Sequence, residues 1–296
     1  MSTIERAAEL LRSLSEAPKK PSPSGADLDA IERAAGNLVG RQGPGAAHAP
    51  GRDADIDTNP VLAIDRERLR ANSLITPDGG RTSIAESFRR IKRQILANVG
   101  VPRGDAPPGN LVMVTSAMPG EGKSFCAVNL ALSLALEMDR TVLLVDADVA
   151  RASIPRFLGL EPSKGLMDAL VDPRVRRGEV LWKTDIGGLT LLPAGAPHKQ
   201  ATELIASQAM RDLLRDLAAQ DPNRIVVFDS PPLLAASEAG ALASQMGQIL
   251  VVVEAGKTSN TALKEALSRI ESSRVVGLVL NKAKGHSLEY GYAAYG

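Results

Sequence analysis

The apolar run Leu111-Val112-Met113-Val114 delivers the chain to Ser116-Ala117-Met118-Pro119-Gly120-Glu121-Gly122-Lys123-Ser124, and a helix-like stretch over residues 125–138 follows at once. No other segment restricts the fold as tightly. A strand that enters a glycine-permitted turn and leaves as a helix aims successive backbone N–H groups at one point, with the positive end of the helix behind them. Such a turn holds phosphate. Lys123 is placed to reach the β- and γ-phosphates of a nucleotide, and the Ser124 hydroxyl to ligate Mg2+. Residues Ala117 to Phe125 line the cradle. The usual pattern begins with Gly and this one with Ala117, while Gly120 and Gly122 supply the positions of close approach.

Downstream, short Val/Ile/Leu-rich runs alternate with helical patterns. Strands are expected over 110–116, 141–146, 189–192, 224–229, 248–254 and 275–281. Helices are expected over 123–138, 202–207, 209–220, 238–245 and 260–272. Upstream, 62–69 reads as a short helix and 83–99 as a longer one with Phe88, Ile91, Ile95 and Leu96 toward a core. This alternation implies an α/β fold, a mostly parallel sheet with helices on both faces. Ligands of such sheets sit beyond the carboxyl ends of the strands.

The first sixty residues are different in kind. Ile4, Ala7, Ala8, Leu11 and Leu14 share one face of a short amphipathic helix. Residues 17–59 are rich in Pro, Gly, Ala, Asp and Ser and too poor in large apolar side chains to offset ordering entropy, although 28–38 has a helical pattern. The expected organisation is a helix and flexible extension over 1–59, a nucleotide-binding domain over 60–288 and a tail over 289–296. A length of 296 residues at 44% hydrophobic content suffices for one large α/β domain with accessory segments. No apolar stretch approaches the roughly 20 residues that a bilayer requires, and no charged start leads into an apolar secretory core. The single cysteine, Cys126, rules out an internal disulfide and suits the cytosol. A net charge of +1 and 3% aromatic content speak against nucleic acid as a partner.

Two expected strands end in carboxylates, Asp146-Ala147-Asp148 and Asp229-Ser230-Pro231-Pro232. Mg2+ at a triphosphate needs carboxylates, often through its waters, and an attacking hydroxyl needs a base. Three acids beside a phosphate loop can supply both. Together with Asn281-Lys282, these motifs make the chain resemble the bacterial protein-tyrosine kinases of exopolysaccharide synthesis, of the type described as the exosortase-associated tyrosine autokinase. The resemblance runs from about Ile64 to Gly296 and implies a phosphate-loop NTPase fold. It implies ATP and Mg2+ as cofactors, with Lys123 and Ser124 on phosphate and metal. Asp146 and Asp148 then form the second acidic motif, with Asp146 as base or water-mediated metal partner, Asp229 joins the metal site, and Asn281 hydrogen-bonds adenine.

Glu86-Ser87-Phe88-Arg89-Arg90-Ile91-Lys92 resembles the family's Glu-x-x-Arg-x-x-Arg helix, which implies subunit contacts through Glu86, Arg89 and Lys92 in a ring-like homo-oligomer. Lys92 stands where a second Arg is expected and lacks its bidentate fork. A solvated charged face explains the same spacing.

All three tyrosines, Tyr290, Tyr292 and Tyr295, lie in the last seven residues among Gly and Ala, a context that cannot bury three rings. The resemblance implies that such a tail is autophosphorylated by a neighbouring subunit. It also implies a chain-length-determinant co-polymerase of the membrane as partner, which would bring a cytoplasmic chain to the inner face. Two other readings stay open. One is an ATPase switch of the partition or septum-positioning type, which places lysine at the second loop position, here Met118; the other is a nucleotide-dependent scaffold for the co-polymerase.

Overall fold

The computed structural model describes residues 61–100, 106–161, 163–270 and 275–283. The expected helix over 4–14, the extension with its helical pattern at 28–38, and Tyr290, Tyr292 and Tyr295 lie outside the described residues.

Seven strands make one sheet. They are β1 (Leu111–Ser116), β2 (Thr141–Asp146), β3 (Trp182–Lys183), β4 (Leu189–Leu192), β5 (Arg224–Asp229), β6 (Gln248–Glu254) and β7 (Val275–Asn281). Their spatial order is β3-β4-β2-β5-β1-β6-β7, and every pair is parallel except β3 with β4. Register sets the site. Asp146 is paired with Asp229 across β2 and β5, and Val114 with Asp229 across β5 and β1, so the three strand ends open at one level.

Helices cover the sheet because each carries an apolar stripe. Among the longer ones are α2 (Ser83–Val99) and α3 (Lys123–Ala135), preceded by α1 (Arg66–Ala71). The Thr82 side chain caps α2 by accepting the Ala85 N–H, Glu86 adds charge to its first turn, and Phe88, Lys92 and Ile95 turn inward. Helix α3 is buried on all sides from Cys126 to Ala135, wedged between α2 and the sheet. That burial suits its Ala/Leu composition, and each large side chain so enclosed contributes about 1.5–3 kcal/mol. Buried Asn129 of α3 accepts the Ile75 N–H at 2.9 Å and donates to the Phe125 carbonyl, tying the segment after α1 onto the core.

The remaining helices are α4 (Ile154–Leu158), α5 (Leu166–Val171), α6 (Arg177–Val180), α7 (Ala201–Ile205), α8 (Gln208–Ala219), α9 (Ser237–Ala243) and α10 (Asn260–Ser268). Several of the expected helices differ in their bounds; α8 starts and ends one residue earlier than expected, and α9 ends at Ala243 instead of 245. The helix expected over 62–69 begins at Arg66, where Asp65 caps it, while Leu62 forms an isolated parallel bridge with Thr184. Helix α3 ends at Ala135 instead of 138, because the chain tightens into a turn through Glu137 N–H to the Leu134 carbonyl and leaves Met138 in solvent. The helix expected to end at 272 has its last helical residue at Ser268. The helix expected over 202–207 is α7, which ends at Ile205 before the Ser207 cap of α8.

Candidate active site

The phosphate loop joins β1 to α3. Gly120 and Gly122 adopt φ of 86° and 97°, the left-handed region that a side chain resists. A Cβ on Gly122 would come within 2.0 Å of the Asn281 amide nitrogen, so this glycine lets strand β7 close on the loop. Gly122 also stands at the N-cap of α3 and offers no side chain to it. The first N–H groups of α3 therefore have neither an intrahelical acceptor nor a cap, which is the arrangement an anion fills.

Within the loop, Ala117 and Glu121 are buried, whereas Met118, Pro119 and Gly120 are exposed. The Phe125 ring packs edge-on against Phe88 with centroids 6.5 Å apart, so only the backbone of Phe125 faces the cradle. Asn281 donates from Nδ2 to the Glu121 carbonyl at 2.9 Å, which puts it against the loop at the end of β7.

Four charged side chains meet at the strand ends. Lys123 Nζ lies 2.5 Å from Asp148 Oδ2 and 3.9 Å from Asp229 Oδ1, and it is also 3.4 Å from Ser124 Oγ. Asp146 has another task. Its Oδ2 accepts the N–H groups of Ser153 and Ile154 at 2.9 and 3.0 Å, capping α4, and its Oδ1 has no hydrogen-bond donor. Asp229 Oδ1 is likewise buried without a hydrogen bond. Burial, then the charge of Asp229, pushes Asp146 up to about 7. Burial also lifts Asp229 to about 6, held back by Lys123 and the Ser124 hydroxyl. Cys126, two residues past Ser124, is enclosed, and burial pushes its thiol up to about 12.

Two orphaned carboxylate oxygens beside a hydroxyl are hard, anionic donors of the kind Mg2+ prefers, and the uncapped helix end suits the phosphates. The residues present thus fit a nucleotide with its cation. The sequence had placed Lys123, Ser124, Asp146, Asp148, Asp229 and Asn281 at one site, and they converge. What it missed are the Ser153 and Ile154 N–H groups that orient Asp146, the contact of Thr258 with Glu121, and the hold of Lys282 on the Gly120 carbonyl. Lys282 adjoins Asn281, but no pattern marked Thr258.

The helix pair Glu86 and Arg89 is exposed and joined at 2.6 Å. Lys92 points the other way, donating to the Ser133 carbonyl at 3.1 Å and pairing with Glu137 of its own chain.

Residues 108–283 match the family described as ParA, NUBPL iron-transfer P-loop NTPase. The chain belongs to this P-loop NTPase family. The tyrosine-protein kinase YwqD of Bacillus subtilis is 35% identical over 187 residues, covering 61% of this NTPase and 76% of YwqD. The succinoglycan biosynthesis transport protein ExoP of Rhizobium meliloti is 34% identical over 249 residues, covering 80% of this NTPase but 28% of ExoP. The chain therefore spans under a third of that longer relative. Among solved structures, the kinase domain of the Escherichia coli tyrosine kinase ETK superposes with a TM-score of 0.60 at 26% identity, over 73% of this NTPase and 84% of that domain. Within the P-loop NTPases the chain thus falls among the bacterial tyrosine kinases. Among the described residues, no helix is long and apolar enough to cross a membrane.

Proposed function

We propose that the chain is an ATP- and Mg2+-dependent protein-tyrosine kinase that phosphorylates its own C-terminal cluster, Tyr290, Tyr292 and Tyr295, and thereby regulates exopolysaccharide polymerisation and export. The observation that carries this reading is the cluster in which Lys123 lies between Asp148 and Asp229 while buried oxygens of Asp146 and Asp229 lack donors, beside the uncapped start of α3. The likeness to tyrosine kinases supplies the reaction class.

Ser124 would hold Mg2+ directly, with Asp146 and Asp229 reaching it through water. Mg2+, when bound, supplies the charge that phosphoryl transfer must neutralise. The chain's own groups do the rest. Lys123 turns from Asp148 toward the β- and γ-phosphates, which frees the Asp148 carboxylate. That carboxylate, or Asp146 beside it, orients the tyrosine hydroxyl and takes its proton as the new phosphorus–oxygen bond forms and the bond to ADP breaks. Positioning and charge neutralisation provide nearly all of the catalysis, because a loose transition state leaves little covalent work.

The tail would be presented to the site of a neighbouring copy, with Glu86 and Arg89 at the subunit contact. A membrane co-polymerase of the chain-length-determinant class would recruit this assembly to the inner face of the cell membrane from the cytoplasm. Incubation with Mg-ATP followed by tryptic mass spectrometry tests the reading. Phosphate is expected on the tail tyrosines of the parent and not of Lys123→Met. A parent that binds ATP while all three phenols stay bare overturns the kinase in favour of a nucleotide switch.

A further inference from the structure

Glu121 is a carboxylate buried inside a loop built for anions, where its charge opposes phosphate, so its presence needs a physical reason. Its contacts supply one. Oε2 accepts the Met118 N–H at 2.8 Å across the back of the loop, and Oε1 accepts the Thr258 hydroxyl. Thr258 belongs to the turn after β6, and its Oγ1 accepts the Glu254 N–H at 2.9 Å. A hydroxyl has one proton to donate, and the backbone contact leaves that proton for Glu121.

A second tie comes from the end of β7. Lys282, a non-glycine residue at φ 57°, donates from Nζ to the Gly120 carbonyl at 2.6 Å and pairs with Glu254 at 3.2 Å. Asn281 holds the next carbonyl, that of Glu121. In a trans peptide the C=O and N–H point in opposite directions. Fixing the carbonyls of Gly120 and Glu121 toward β7 therefore turns the N–H groups of Glu121 and Gly122 to the other side of the loop.

From this geometry we propose that Thr258 and Lys282 are positioning residues for the phosphate loop. Thr258 clamps the loop through Glu121, Lys282 clamps it through a backbone carbonyl, and the two set the peptide planes for an anion before any nucleotide arrives. Preorganisation of this kind lowers the ordering cost of binding. The proposal deepens the nucleotide-binding reading above and rests on it for its purpose, although the clamp itself belongs to the ligand-free protein.

Amide hydrogen exchange on the ligand-free full chain therefore comes first. Thr258→Val and Lys282→Ala should each speed exchange of peptides covering 117–124 by about tenfold, the loss expected for a hydrogen bond to a charged partner. Peptides from β1 and β2 should keep the parent rate. Affinity for ADP, measured by titration calorimetry, should fall about tenfold in the same variants, and Thr258→Ser should restore both readouts. Loop exchange at the parent rate in Thr258→Val overturns the clamp. So does faster exchange spread over the whole sheet, which marks a merely structural residue. A parent that fails to bind ADP would remove the nucleotide reading while the exchange data still decide the clamp.

Discussion

Replacing Asp146 with Asn should stabilise the ligand-free protein by an amount that grows with pH. Asp146 is fully buried, with one carboxylate oxygen engaged by the Ser153 and Ile154 N–H groups and the other without a donor. Burial, with a smaller push from the charge of Asp229, raises its pKa from 3.8 to about 7. The folded state thus binds the proton more tightly than the unfolded chain. The group's favourable contribution is complete below pH 3.8 and is lost as pH rises through 7. One proton's difference amounts to about 1.4 kcal/mol per pH unit, so the charged form costs about 4 kcal/mol above pH 7. Asn keeps the shape and an acceptor for the two N–H groups but brings no charge into the interior. The stability gain of Asp146→Asn should be near zero at pH 4, about 3 kcal/mol at pH 6, and level near 4 kcal/mol above pH 7.5. Urea unfolding of both proteins in EDTA at pH 5, 6, 7 and 8 measures it. Parallel stability curves, or a variant less stable than the parent at pH 8, would refute the reasoning.

Four further outcomes follow from individual contacts. Gly122→Ala places a Cβ at a left-handed φ and 2.0 Å from the Asn281 amide, so calorimetry should find nucleotide affinity reduced by at least about tenfold while the circular dichroism spectrum is kept. Cys126, buried with its thiol pushed up to about 12, should not react with a disulfide reagent at pH 8 until denaturant is added, when one equivalent reacts. Lys92→Met strands the Ser133 carbonyl and breaks the pair with the partly exposed Glu137 carboxylate, and should cost about 1–3 kcal/mol in urea unfolding. Arg89→Ala removes only an exposed pair and should stay within about 0.5 kcal/mol, with any effect confined to assembly mass by light scattering.

The central strands were legible because Val, Ile and Leu runs bounded by polar residues leave little freedom. The observed bounds of β2, β4, β5, β6 and β7 match the expected ones, and β1 starts one residue later than expected. Strand β3 is two residues long and antiparallel, and α4, α5 and α6 span four to six residues, too short to display a period. Lys92 shows a different limit. Read by its spacing from Glu86 and Arg89 it belongs to a charged face, yet it also falls four residues after Phe88 and three before Ile95, on the buried stripe. The inward stripe prevailed, since α3 offered a carbonyl to its ammonium. At the site, the acids were visible as strand ends. That Asp146 caps α4 was not, because the partner is a helix five residues long whose placement depends on tertiary packing.

Charge balance explains why these acids stand so close together. Asp146, Asp148 and Asp229 are each almost fully enclosed, and Lys123 is the one cation in ion-pair contact with the group among the described residues. Lys123 is divided between Asp148 and Asp229, so Asp146 has backbone donors and no counter-charge. Burial lifts both carboxyls toward neutrality, Asp146 to about 7 and Asp229 to about 6, so a proton can offset the excess negative charge. A divalent cation arriving with phosphate would relieve the same imbalance and release Lys123 at once, so proton and cation compete for one pair of carboxylates. Magnesium-dependent stabilisation should then weaken as pH falls from 8 to 5, since Asp146 takes up a proton near 7 and Asp229 near 6. Thermal unfolding with and without Mg2+ and ADP across that range reads the competition. A magnesium-dependent shift in Tm that is the same at pH 5 as at pH 8 would mean that these two carboxylates do not face the cation.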